Sequence, residues 1–285
     1  MPIAPPQTAA HPAGAEALSP WTVYRLAWQN RRLIGRLTRR ELASRYRGSF
    51  LGFAWMFITP VLILAVYTFV FSVVFRARWN VPVGGKGEFA LLLFAGLNLY
   101  NVFSETANRT ATLLIANVNY IKKVVFPLEV LPIVTLVTAM FTNLVVNGVI
   151  LLAAYFLILG VPPWTAVLFP VVVLPLALFT LGVGWFLSSM GVYIRDLGHA
   201  VGVVTLIMVF LSPIFYPVEA VPAGFRTLIY LSPFTLIIEQ GRDLLFWGRL
   251  PNFWHTLLAT GGAFLVNWLG YIWFAKTRKG FADVV

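Results

Sequence analysis

The chain has no cysteine, and only 11% of its 285 residues carry a formal charge. The first absence excludes disulfides and thiolate metal sites. The second excludes one ordinary water-soluble core, because soluble domains carry about 25% charged residues. Histidine is scarce as well: His11, His199 and His255 are too scattered to form a metal cluster. Neither an H-E-x-x-H zinc site nor a G-x-S-x-G nucleophile elbow occurs. A loop that cradles nucleotide phosphates needs the spacing G-x-x-x-x-G-K-[ST]. Gly84-Gly85-Lys86-Gly87 lacks the preceding glycine and the hydroxyl residue, so it reads as a turn. If the chain moves a solute, the energy comes from a partner or from an ion gradient.

What the chain has is apolar surface: 59% of its residues are hydrophobic and its mean hydropathy is +0.83. Six stretches, at 53–75, 89–110, 130–159, 166–193, 200–218 and 254–275, approach or exceed the roughly 20 residues that cross a bilayer core. Pro132, Pro170 and Pro175 lie in or near them, which membrane helices tolerate when neighbours satisfy the freed backbone groups. The segment Phe225–Phe246 is different. Ser232-Pro233 splits it into halves of about 10 residues, and Glu239, Arg242 and Asp243 follow. That pattern predicts a re-entrant segment over about 219–246, with an amphipathic external loop as the alternative.

The charges decide the span count. With six spans, both termini are cytoplasmic, alongside the eight arginines between Arg25 and Arg47, Lys122, Lys123, Arg195, Lys276, Arg278 and Lys279. The outside keeps Arg76, Arg78, Lys86, Arg226, Arg242 and Arg249, so the bias is fourteen against six. A seventh span would export the basic C-terminus, against the positive-inside rule. The expected fold is therefore an all-α membrane protein with six transmembrane helices, an N-terminal interfacial amphipathic helix and re-entrant helices between spans 5 and 6. In domain terms, 1–20 is a disordered cytoplasmic tail, 21–50 the interfacial helix and 51–285 the transmembrane domain. The location is the bacterial inner membrane.

The net charge of +11 raises the question of nucleic acid, but eight of the 21 basic residues precede the first apolar run directly. A juxtamembrane basic segment belongs on the anionic cytoplasmic leaflet. Trp21, Tyr24 and Trp28 recur at i, i+3 and i+7, with Arg25, Arg31, Arg32, Arg36, Arg39 and Arg40 around them. An aromatic face opposite an arginine face marks a helix lying in the interface; a solvated basic linker is the alternative.

Ion-coupled transporters carry ionisable groups near the bilayer midplane. The middles of all six stretches lack Asp, Glu, Lys and Arg; Glu105 and Arg109, spaced to pair at i, i+4, lie near the cytoplasmic end of the second. They serve either structural pairing or substrate admission. Bare midplanes weigh against gradient coupling and leave ATP on a separate subunit.

Five ordered motifs then carry a resemblance. They are Arg39-Arg40-Glu41-Leu42-Ala43-Ser44-Arg45-Tyr46-Arg47-Gly48-Ser49-Phe50-Leu51-Gly52 with Trp55 and Pro60, then Asn119 to Pro132, then Tyr193-Ile194-Arg195-Asp196-Leu197. Ser212-Pro213-Ile214-Phe215-Tyr216-Pro217 and Ser232-Pro233-Phe234 with Glu239 and Arg242 complete the set. Together they resemble the permeases of ATP-binding-cassette exporters of polysaccharides, among them O-antigen, capsule and teichoic acid precursors. Ser232 stands where that family more often has Asn, which leaves the details of the local cap open.

The resemblance implies a coupling segment that docks on an ATPase subunit: Ile121, Lys122, Lys123, Phe126, Pro127 and Glu129, with Arg40 and Glu41 nearby. It implies that Arg45, Tyr46 and Arg47 meet the lipid-linked pyrophosphate head of the substrate, a task suited to arginine's planar fork. Ser232, Pro233, Glu239 and Arg242 would belong to an outer gate. Plain headgroup anchoring is the competing reading of both basic segments.

A sugar polymer needs weakly binding walls, and aromatic faces supply them. Tyr67, Phe71, Tyr100, Phe103, Phe210, Phe215 and Tyr216 are the candidates. The expected assembly is two copies of this chain with two nucleotide-binding ATPase subunits, a lipid-linked polysaccharide as cargo, membrane lipids around it and no nucleic acid. ATP and magnesium would sit on the partner subunits, with no cofactor in this chain. A drug or lipid permease of the same class, an ion-coupled transporter and a membrane glycosyltransferase are the rivals.

Overall fold

A computed structural model describes residues 19–74, 87–122 and 126–284, and every regular element among them is helical. The tail at 1–18, the turn at Gly84–Lys86, Arg76, Arg78 and Lys123 lie outside the described residues.

The basic N-terminal segment forms two helices where the sequence pattern predicts one. Helix α1 (Pro20–Gln29) starts with proline in its first turn, where a missing N–H costs nothing. Asn30 leaves helical geometry (φ −95°, ψ 11°) and its Nδ2 donates to the Leu26 carbonyl at 2.9 Å, so it ends α1 before α2 (Arg31–Arg45) begins. A side chain that bonds its own backbone competes with the helix ladder. The face turned to the protein is not the aromatic one. Val23, Ile34, Thr38 and Leu42 are buried, whereas Trp21 and Trp28 are about 70% exposed. Tyr24 alone of the three turns inward, stacking on Phe264.

Gly48 (φ 84°) and Gly52 (φ 49°) turn the chain from α2 into α3 (Trp55–Tyr67). Both sit in the left-handed region, where a Cβ is strained. Helix α3 continues as a wider π-helical segment, Thr68–Val74. It touches the rest of the chain through a single stripe at i, i+4, i+8: Met56, Pro60 and Leu64. Phe57, Val61, Leu62, Val66 and Phe69 are exposed.

Helix α4 (Glu88–Thr110) is the hub, with nearly every residue from Glu88 to Phe103 buried. The short helices α5 (Leu113–Ala116) and α6 (Val118–Lys122) follow. Next, α7 (Val130–Met140), a π-helical segment (Phe141–Val146) and α8 (Asn147–Ile158) form one rod. After it come α9 (Phe169–Tyr193), α10 (Leu197–Leu211), α11 (Ala223–Leu231), α12 (Pro233–Arg242), α13 (Phe253–Thr277) and α14 (Phe281–Val284). Asn252 caps α13 by accepting from the Trp254 and His255 amides.

Among the described residues, four helical rods are long and apolar enough to cross a membrane: Gly52–Phe71, Val130–Ile158, Trp164–Tyr193 and Phe253–Gly280. Helix α4 is not among them. It is 23 residues long but carries Glu88, Asn98, Asn101, Ser104, Glu105 and Arg109. The apolar stretch at 200–218 yields a helix of only 15 residues, because Ser212 leaves helical geometry ahead of Pro213.

A close seam joins α9 and α13. A Cβ on Gly270 would stand 2.1 Å from the Gly182 carbonyl oxygen, and one on Gly182 would stand 2.5 Å from that of Val266. Small residues let two backbones meet, which is how helices gain van der Waals contact where lipid removes the hydrophobic drive.

Helices α11 and α12 meet at Ser232-Pro233 as a tight pair, with Thr235 Oγ1 donating to the Ile229 carbonyl. Phe234 enters the core, its ring 4.6 Å from Phe103 and 5.3 Å from Tyr100. Phe103 lies fifteen residues along α4 from Glu88, a rise of about 22 Å. The other end of α12 lies beside Leu92, so α12 runs back along α4.

Candidate functional site

One end of the molecule gathers the basic helices, the loop before α7 and the C-terminus. Val23, Ile34, Leu114, Leu128, Val130, Trp185, Phe274 and Phe281 form one buried cluster there, with Tyr120, Ile121 and Phe126 packed against it. Of the expected coupling residues, Ile121 and Lys122 end α6; Phe126 stacks on Tyr120 with centroids 4.3 Å apart. Arg40 Nη2 donates to the Tyr120 hydroxyl at 2.8 Å, so α2 is tied to the segment that resembles a coupling helix. Pro127 opens the turn into α7, its carbonyl accepting from the Val130 amide. Glu129 is buried and ion-paired with Arg278, and its carbonyl accepts from Trp185 Nε1 at 3.1 Å. Lys123 is outside the described residues.

Glu105 collects charges from two helices. Arg45 pairs with it, Arg109 approaches to 3.5 Å, and Arg109 also pairs with Glu41. Asn143 Nδ2 donates to the other Glu105 oxygen at 2.9 Å. The spacing of Glu105 and Arg109 predicts their contact, but not that both reach α2. Tyr46 packs on Phe53 and Arg47 is exposed.

Below this ionic cluster a polar cleft of about 340 Å³ runs between α3, α4 and the π-helical segment. Asn98, Asn101, Thr142, Asn143 and Asn147 line it, facing Tyr46, Thr59 and Tyr67. Asn147 Nδ2 donates to Asn98 Oδ1 at 3.0 Å. A count confined to charged residues passes over these amides. The available signal was Asn98, Asn101 and Glu105 at i, i+3, i+7 opposite Asn143 and Asn147 at i, i+4. The π-helical segment carries Asn143 and Thr142 into the cleft, and such insertions occur often at functional sites.

The seven aromatic candidates do not share one surface. Tyr100 and Phe103 are buried among Phe179 and Phe234, and the Tyr100 hydroxyl donates to the Thr205 carbonyl. Tyr67 and Phe71 are half-buried neighbours. Phe210 is exposed and stacks on Phe215, and the Tyr216 hydroxyl donates to the Phe210 carbonyl at 2.7 Å.

At the opposite end, Arg242 is buried and donates to three carbonyls: Leu92 at 3.1 Å, Pro213 at 2.6 Å and Ile214 at 2.7 Å. It thereby joins α12, α4 and the turn after α10. Glu239 is half-buried one turn earlier on α12, Ser232 faces Ser212 at 3.3 Å, and Pro233 is exposed.

Residues 32–246 match the family described as ABC-2 type transporter. The chain belongs to the ABC-2 type transporter family. Among relatives of this ABC-2 transporter chain, the O-antigen export system permease protein RfbA of Myxococcus xanthus is 31% identical over 260 residues, covering 90% of this chain and 97% of the relative. A Klebsiella pneumoniae protein of the same name is 28% identical, covering 87% and 93%. The capsule polysaccharide export inner-membrane protein CtrC of Neisseria meningitidis is 24% identical, covering 88% and 92%. The family match begins in α2 and ends in the segment after α12, so it takes in the ionic cluster, the cleft and the Arg242 contacts.

Proposed function

We propose that this chain is the membrane permease of an ATP-driven exporter that moves a lipid-linked, O-antigen-like polysaccharide outward across the inner membrane. The observation that carries the reading is near-full-length similarity to permeases named for O-antigen and capsule export. A chain without a phosphate-binding loop fits that role, since ATP and magnesium then reside on two nucleotide-binding partner subunits. Two copies of this chain form the path. The exposed apolar faces of α3 and α10 support pairing, because among the described residues each helix is buried along one narrow stripe.

Six spans place both termini in the cytoplasm: the four long rods, the enclosed α4 and the short α10. Helices α1 and α2 lie along the cytoplasmic interface, and α11 and α12 form a re-entrant outer gate. Arg242 positions that gate by holding backbone from three segments at once. The segment from Ile121 to Glu129 docks on the ATPase, with Arg40 and Glu41 beside it. Its motion passes to the spans through Tyr120 and through the Glu129–Arg278 pair. Arg45, Tyr46 and Arg47 receive the lipid-linked head, and aromatic side chains such as Phe210, Phe215 and Tyr216 give the sugar chain surfaces to slide over.

The test is reconstitution with the nucleotide-binding ATPase that co-purifies with this chain. ATP-dependent delivery of glycan into vesicles is expected, and reversal of Lys122 to Glu should uncouple hydrolysis from delivery. Delivery that persists without the ATPase, or a chain that captures no nucleotide-binding subunit, would overturn the reading.

A further inference from the structure

The cleft between α3, α4 and the π-helical segment has a composition that scaffolding does not require. None of the fourteen residues that line it is charged, yet eight of them carry a side-chain amide or hydroxyl. Three are committed: Asn143 to Glu105, Asn147 to Asn98, and Thr142 to Thr138. Four are not. The side chains of Asn101, Thr59, Tyr46 and Tyr67 make no hydrogen bond to any described residue. Asn98 Nδ2, fully buried behind them, has no partner either. Asn98 is ten residues from one end of α4 and twelve from the other, about 15 and about 18 Å, so the cleft reaches mid-helix. A polar group at that depth is costly unless something satisfies it.

We infer that this cleft binds a sugar, the residue of the cargo nearest its lipid anchor. The inference rests on the polysaccharide-export reading and assigns it a subsite. Uncharged amides and hydroxyls suit ring hydroxyls, since each can donate and accept. Trp55, Tyr67 and Phe94 supply ring faces for the apolar side of a pyranose. No charged residue lines the cleft itself, so a diphosphate would stay at its mouth, where Arg45, paired with Glu105, reaches the lining residue Thr142 at 3.5 Å. The volume lies at the lower end of the range for small-ligand sites, about 300–1,000 Å³, which fits one or two sugars and not a polymer.

The experiment compares two probes on the full chain, with its ATPase, in lipid nanodiscs: an isoprenyl diphosphate bearing one N-acetylhexosamine, and the same lipid without sugar. Wild type should bind the glycosylated probe about tenfold tighter or more, a preference worth about 1.4 kcal/mol. Asn101→Leu should abolish the preference, leave the sugar-free probe unaffected and leave the thermal midpoint unchanged. If that variant does not fold, Thr59→Val carries the same comparison. Equal affinity of wild type for both probes would overturn the inference, as would a preference that survives both substitutions, which means that the cleft holds water only. Either result with ATP-driven glycan delivery intact sinks the subsite alone. Absence of glycan delivery by wild type sinks the export reading instead.

Discussion

Arg242 brings a guanidinium into the interior, where it donates to backbone carbonyls of three residues. Its planar fork reaches segments that a single ammonium could not bridge together. Arg242→Lys keeps the charge and should still cost about 1–3 kcal/mol, because buried carbonyls lose donors. Thermal unfolding in detergent reads that loss; a variant as stable as wild type would remove the staple role. Glu129 and Arg278 make a second case. The carboxylate is 5% exposed and the guanidinium 26%. Glu129→Gln should cost on the order of 2 kcal/mol, below the ~3–5 of a fully enclosed pair. The double variant Glu129→Gln/Arg278→Met should lose less than the sum of its parts. The motif before α7 makes Glu129 a candidate from sequence, but its partner is 149 residues away and no spacing rule connects them.

Between α9 and α13 the same substitution should have opposite effects at two glycines. Gly182→Ala places a methyl 2.5 Å from the Val266 carbonyl and should destabilise by about 1–3 kcal/mol as the helices part. Gly261→Ala, on α13 with nothing within 4 Å, should be neutral or stabilising by up to about 1 kcal/mol. Thermal midpoints of the two variants check the pair; equal shifts would mean that the seam is not packed this tightly. Element boundaries were legible where a local rule sets them. Ser232-Pro233 marks the joint between α11 and α12, whereas the stretch 200–218 overruns Pro213, before which α10 has already ended. The break at Asn30 was not legible, since an asparagine inside an arginine-rich run ends a helix only when its amide finds the Leu26 carbonyl.

For the whole molecule, the missing cysteine becomes an asset, because single reporters need no prior substitution. Arg36→Cys and Asp196→Cys should react with a membrane-impermeant maleimide only after spheroplasts are opened. Val161→Cys and Leu250→Cys, both exposed, should react in intact spheroplasts. Asp196 and Leu250 labelling from the same side would break the six-span topology. If two copies form the path, Phe57→Cys on the exposed face of α3 should cross-link or label differently in the assembled transporter and in the isolated chain. Identical behaviour would count against pairing through that face.

Sequence alone determined that this chain is helical and membrane-embedded, because hydropathy and charge bias are properties of short segments. The ordered motifs also pointed to the family. Tertiary structure decided which helix is enclosed, which aromatics are core and where uncommitted amides face one another. Those outcomes depend on which residues meet across gaps of 40 to 240 positions, and lipid-facing and protein-facing residues are equally apolar. Only the packing of α4 against the π-helical segment turned five neutral side chains, at Asn98, Asn101, Thr142, Asn143 and Asn147, into a polar cleft.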